Sequence, residues 1–129
     1  MTNEELIRCF ESNVMPDDSF HHADLVRLAF ACLCQYPVLQ ALEKFTNALK
    51  RFATAHGKTQ LYNETITYAY FFLIQERMAR CKCTDWKEFS RQNPDLLTWK
   101  DGLLSRYYCE TTLKSDLART IFVFPDNFW

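Results

Sequence analysis

Three histidines and one carboxylate are the residues of this chain whose types and order suggest chemistry. His21 and His22 stand before an apolar-periodic stretch, His56 stands just before Gly57, and Glu64 follows Tyr62 and Asn63. A neutral imidazole can serve as a general base or a metal ligand, and a carboxylate can complement it as acid, base or second ligand. His22 and Glu64 are therefore the candidate catalytic residues. His21, His56, Tyr62 and Asn63 are candidates for holding a ligand, with Tyr62 and Asn63 suited to positioning a substrate or an oxyanion. Any divalent metal at this place would fall to His22 and Glu64.

These groups come together only if the elements carrying them are antiparallel. The residue pattern predicts that arrangement. Leu25, Leu28, Ala29, Cys32 and Tyr36 repeat at helical spacing over about 20–36, with Asp18 or Ser19 as cap. Pro37 ends that helix and is suited to position N1 of the next. Val38, Leu42, Phe45, Leu49, Phe52 and Ala53 form the stripe of a third helix, which Gly57 closes. A four-residue link leads to a fourth helix over about 61–81, apolar almost all round at Tyr68–Ile74 and so expected at the centre of a bundle. Short links make consecutive helices antiparallel neighbours. The second helix then begins where the third ends and the fourth begins. Two helix N-termini facing one pole would favour an anion and would keep a nearby imidazole neutral.

The remaining elements complete an all-α bundle of about six or seven helices, expected as a single domain over 1–129. Thr2-Asn3-Glu4-Glu5 reads as a capping box for a short first helix bearing Leu6, Ile7 and Phe10. Thr84 or Asp85 starts a fifth helix through Trp86 and Phe89, which Asn93-Pro94 stops. Helices are expected over about 103–108 and 112–120, the latter with Leu113 and Leu117 inward. Ile121 to Trp129 is expected to be extended, with Pro125 forbidding a central strand. This tail should lie along the bundle and cover apolar surface, a homodimer contact being the alternative.

Composition narrows the function classes. Forty-eight per cent of the residues are hydrophobic and only two are glycine, which argues against disorder and against a turn-rich β fold. Fifteen basic residues oppose sixteen acidic ones; so small a net charge gives no field for gathering nucleic acid or an anionic membrane. The longest apolar run is far shorter than the roughly 20 residues of a membrane helix. Met1 to Glu5 is acidic, unlike a secretory leader, so a cytoplasmic protein with reduced thiols is expected. Cys32/Cys34 and Cys81/Cys83 are C-x-C pairs. Side chains two apart diverge by about 200° on a helix and do not bridge easily there. A zinc site from Cys81, Cys83 and Cys109 is the alternative use. The two glycines exclude a glycine-rich phosphate loop, and no nucleophile elbow is present.

Phe20-His21-His22-Ala23-Asp24-Leu25-Val26-Arg27-Leu28-Ala29, with Gly57-Lys58 and Leu61-Tyr62-Asn63-Glu64-Thr65-Ile66-Thr67, resembles a family of small bacterial helical proteins. That family carries Phe-x-His-x-x-His on one helix and Tyr-His-Glu-Thr on another. The likeness extends through Phe122-Val123-Phe124-Pro125-Asp126. It implies a three-imidazole cluster with metal-binding character, joined by a carboxylate. His22 and Glu64 match that pattern, whereas Leu25 and Asn63 stand where the other two imidazoles belong. Losing two nitrogen donors of three should abolish tight binding of a transition metal.

Three functions are compatible with these residues. One is a binding protein that holds a small anionic or carbonyl-bearing molecule at the polar bundle end, as a monomer or homodimer. Another is a small hydrolase, lyase or isomerase using His22 and Glu64, with or without a metal. The third is a protein-interaction module acting through its aromatic tail.

Overall fold

The computed structural model describes residues 2–12, 21–98 and 102–126, and within these the chain is an all-helical bundle. Seven α-helices occur among the described residues: α1 (Asn3–Glu11), α2 (His22–Gln35), α3 (Val38–Ala55), α4 (Glu64–Cys81), α5 (Trp86–Gln92), α6 (Glu110–Leu113) and α7 (Asp116–Thr120). Among the described residues the 3₁₀ turns Thr59–Leu61, Pro94–Leu97 and Leu103–Arg106 link them.

Local chemistry sets the boundaries. The Thr2 hydroxyl accepts from the Glu5 N–H at 3.1 Å and starts α1, whose Leu6, Ile7 and Phe10 are buried. The proposed caps Asp18 and Ser19 lie outside the described residues, as does Phe20. The N-cap of α2 is His21, whose backbone N–H donates to the Asp24 carboxylate at 2.9 Å. Pro37 is the N-cap of α3 and not its first helical residue. Gly57 does close α3: at φ 66° it lets Lys58 N–H reach Ala53 O at 2.7 Å and its own N–H reach Thr54 O at 3.2 Å. That pair of bonds is a Schellman motif. The link to α4 is longer than expected because Thr59–Leu61 forms a 3₁₀ turn and Asn63 is the cap.

Helices α2 and α4 form the middle of the bundle. Helix α2 packs against α1, α3, α4 and the Pro94–Leu97 turn, and α4 packs against α2, α3, α7 and the Leu103–Arg106 turn. Leu28 to Cys32 on α2 are all fully buried. Phe45 of α3 stacks on Phe71 of α4 with centroids 5.7 Å apart, and Phe30 of α2 meets Phe89 of α5 at 4.9 Å. Each fully buried ring of this kind contributes roughly 1.5–3 kcal/mol.

The C-terminal region departs from expectation in two respects. The helix expected over 112–120 is two helices, because the Ser115 hydroxyl accepts from Ala118 N–H at 3.1 Å and starts a new one. That restart rotates the wheel: Ala118 is buried, and Leu117, expected inward, is 58 % exposed. The segment expected as a helix over 103–108 is a 3₁₀ turn. From Ile121 to Asp126 the chain is extended and lies along α4, tied there by Thr65; Asn127 to Trp129 lie outside the described residues. None of the described helices is long and apolar enough to cross a membrane.

Candidate functional site

His22 opens the first turn of α2 and points into the bundle. Its Nε2 lies 2.9 Å from Leu96 O, which fixes the tautomer that donates from Nε2. Its ring meets that of Tyr70 on α4 in a T-shaped contact, with centroids 4.7 Å apart. The imidazole pKa falls below its ordinary value because burial penalises the charged form; the Leu96 bond opposes this more weakly. A neutral His22 was expected from the helix terminus, but desolvation is the main cause. The adjacent His21 is turned to the surface, with Nδ1 3.6 Å from the Asp24 carboxylate.

Glu64 lies at the first turn of α4. It accepts a 2.6 Å hydrogen bond from the Tyr62 hydroxyl. Burial, and then Glu64 itself, push the Tyr62 hydroxyl pKa up, so the phenol keeps its proton and remains a donor. Lys50 of α3 sits 5.3 Å from the Tyr62 ring centroid, which confirms that the end of α3 adjoins the start of α4. His56, the C-cap of α3, packs on Phe52 at 4.4 Å.

Asn63 is occupied at both ends of its amide. Its Oδ1 accepts from Ile66 N–H at 2.9 Å as the cap of α4, and its Nδ2 donates to Leu113 O at 2.7 Å. Thr65, fully buried, donates to Ile121 O at 2.8 Å and accepts from Val123 N–H at 3.0 Å. The stretch Asn63–Thr67 is thus a clamp on the C-terminal part of the chain, a role invisible without the fold.

Tyr62 and Glu64 meet. His22 contacts Leu96 and Tyr70. Tyr70 stands six residues beyond Glu64, about 9 Å further along the axis of α4. Among the described residues no group of three or more His, Cys, Asp or Glu side chains could hold a metal ion. The donor set implied by the resemblance does not fit here, since Leu25 carries no donor and Asn63 is committed to Ile66 and Leu113.

No family model, curated protein or solved structure matches this chain. Its own surface is then the source of any functional reading.

Two grooves escaped sequence reasoning. A polar one of about 320 Å³ is lined by Thr2, Asn3, Arg27 and Thr84 to Lys87, between the start of α1 and the start of α5. An apolar one of about 310 Å³ is lined by Ala69, Phe72 and Leu73 of α4, by Tyr107 and Tyr108, and by Phe122 and Pro125 of the tail. Phe72 is 41 % exposed and Phe124, 5.9 Å from the Phe122 ring, is 78 % exposed. The all-round apolar character of 68–74 was the available signal: a helix with one face free to form a groove has the same composition as one wrapped on every side.

Proposed function

We propose that this chain is a non-catalytic interaction module whose binding surface is the aromatic groove between α4 and the C-terminal tail. The observation that carries this reading is that the fold fixes the tail firmly and leaves its rings outside. Two bonds from Thr65, one from the Tyr108 hydroxyl to Val123 O at 2.6 Å, and two to the Asp126 carboxylate from Cys109 N–H and the Thr112 hydroxyl hold residues 121–126. A segment ordered only to cover the core would turn its rings inward. Exposed aromatic patches rimmed by polar groups mark interaction sites. Rigid, pre-placed aromatic side chains also lose little entropy on binding. The partner is an extended or helical polypeptide segment that inserts an aromatic or branched aliphatic side chain beside Phe72 and Phe122.

Selection of a phage-displayed random peptide library against the protein tests this. Enriched peptides should carry such anchors, and their affinity should fall about tenfold or more, roughly 1.4 kcal/mol, in Phe72→Glu and Phe124→Glu. Phe124 is the more exposed of the two, and circular dichroism of each variant checks that the helices are retained. Peptides that ignore both substitutions would remove the groove from the function. A concentration-dependent dimer dissolved by Phe124→Glu would replace the foreign partner with a second copy.

A second reading keeps the polar end. Neutral His22 and the Tyr62–Glu64 pair are groups suited to hold an anionic or carbonyl-bearing small molecule, or to act as base and acid in a hydrolase, lyase or isomerase. What supports it is the 2.6 Å bond, which keeps a phenolic donor beside a carboxylate. Metabolites that raise the melting temperature of the wild type and not of Glu64→Gln would favour it over the groove.

A further inference from the structure

The C-x-C pair at the end of α4 is not arranged as it would be on a continuous helix. Cys81 is the last residue of α4, and Lys82 follows as C-cap with φ 57° and ψ 29°. This is the left-handed region, disfavoured for a residue that carries a side chain. Among the described residues Lys82 is the only non-glycine with positive φ. The reversal folds the chain back on itself. The Cys83 thiol donates to Cys81 O at 3.7 Å, and the Cys81 side chain lies close enough to act on the Cys83 thiol. Two thiols that a helix would hold on diverging sides are therefore neighbours.

Their surroundings divide the roles between them. Cys81 is half-buried and reachable from solvent, whereas Cys83 is buried. The Cys81 side chain beside it, and then burial, push the Cys83 pKa up to about 11. Cys81 is thus the thiol that an oxidant in solution reaches first, and Cys83 the one that follows. The buried Cys32 thiol of the other C-x-C pair, raised to about 12 by burial, lies inside a continuous helix and has neither feature.

We propose that Cys81 and Cys83 form a vicinal dithiol that is reversibly oxidised to an intramolecular disulfide by small-molecule disulfides. In the first step the Cys81 thiolate attacks one sulfur of the oxidant; its S–S bond breaks and one thiolate leaves. The mixed disulfide on Cys81 is then attacked by Cys83 as it gives up its proton, and the second thiolate leaves. One molecule of oxidant is reduced to two thiols as two protein thiols lose two electrons and two protons. The site is independent of the aromatic groove and stands or falls separately from it.

The test uses the whole protein, treated under native conditions with oxidised glutathione and then alkylated. The expected product has lost two of its six alkylatable thiols, has gained no glutathionyl mass at these positions, and yields a linked 81–83 peptide on mapping. Cys83→Ser should stop at the mixed disulfide on Cys81. Lys82→Gly, which relieves the left-handed strain and keeps the geometry, should react as the wild type does. A stable glutathionyl adduct on wild-type Cys81, or continued alkylation of both thiols while the exposed Cys34 and Cys109 are modified, would overturn the proposal. The wild-type result is decisive by itself, so a poorly folding variant does not obscure it.

Discussion

At the scale of single residues, His22 and Thr65 carry the sharpest consequences. The pKa of His22 is depressed in the folded chain, so the unfolded chain takes up its proton first as pH falls. The stability associated with a neutral His22 is complete above the ordinary value of 6.5. It declines as pH falls through 6.5 toward the lower folded value. Urea unfolding at pH 8, 7 and 5.5 should show a midpoint that drops more steeply below pH 6.5 in the wild type than in His22→Gln. Equal slopes would mean that the ring is not desolvated. Thr65→Val removes a hydroxyl that is both donor and acceptor in a buried position, leaving Ile121 O and Val123 N–H without it. The expected loss is about 2–3 kcal/mol, with faster deuterium exchange at the Val123 amide. Thr65→Ser should retain most of the stability.

At the scale of elements, α1, α3 and α5 were readable because apolar spacing and an end signal agreed in each. Thr2, Gly57 and Asp85 all cap as their residue types suggest. Reading failed where one polar residue re-phased a helix. Ser115 restarts the chain as α7, so a wheel drawn continuously from Thr112 misplaced Leu117. Lys82 defeats sequence reasoning for a related reason: the left-handed signal belongs to glycine and asparagine, and lysine gives none. Of the candidate site, the meeting of α3 with the start of α4 was legible from link length. The partnership of His22 with Leu96 was not, because it spans 74 residues and joins a helix to a turn that no periodicity announces. Asn63 shows what a cap can do between elements. Asn63→Ala should cost about 1–3 kcal/mol, combining the lost cap of α4 with the lost bond to Leu113. In exchange measurements the loosening should appear at α6 as well as at α4. A loss confined to the first turn of α4 would show that the Leu113 bond contributes nothing.

At the scale of the whole molecule, the bundle has an inner pair, α2 and α4, gripped jointly at the Pro94–Leu97 turn. His22 holds Leu96 O from α2, while Arg77 of α4 binds Asp95 through two hydrogen bonds of 2.9 and 3.0 Å and reaches Asn93 at 2.9 Å. The Arg77 guanidinium keeps the Asp95 carboxyl below its ordinary range. Because Asp95 is 44 % exposed, water screens the pair, and Arg77→Met should cost only about 1 kcal/mol near neutral pH. The difference from wild type should shrink as acid protonates Asp95, since the stability linked to a depressed carboxyl is lost when pH falls through its folded pKa, leaving the bond to Asn93. A loss in thermal unfolding that persists unchanged at pH 2 would assign the effect to packing of the arginine stem.

The bonds from Thr65 to residues 121 and 123 reach across 56 and 58 positions of chain. Closing so long a loop costs entropy before any bond repays it, so the tail latches after the helices have assembled. Interactions absent from the rate-limiting barrier govern escape from the native state more than arrival there. Weakening this latch should therefore quicken unfolding while leaving the refolding rate nearly untouched, making residues 121–126 the lock on the molecule's lifetime.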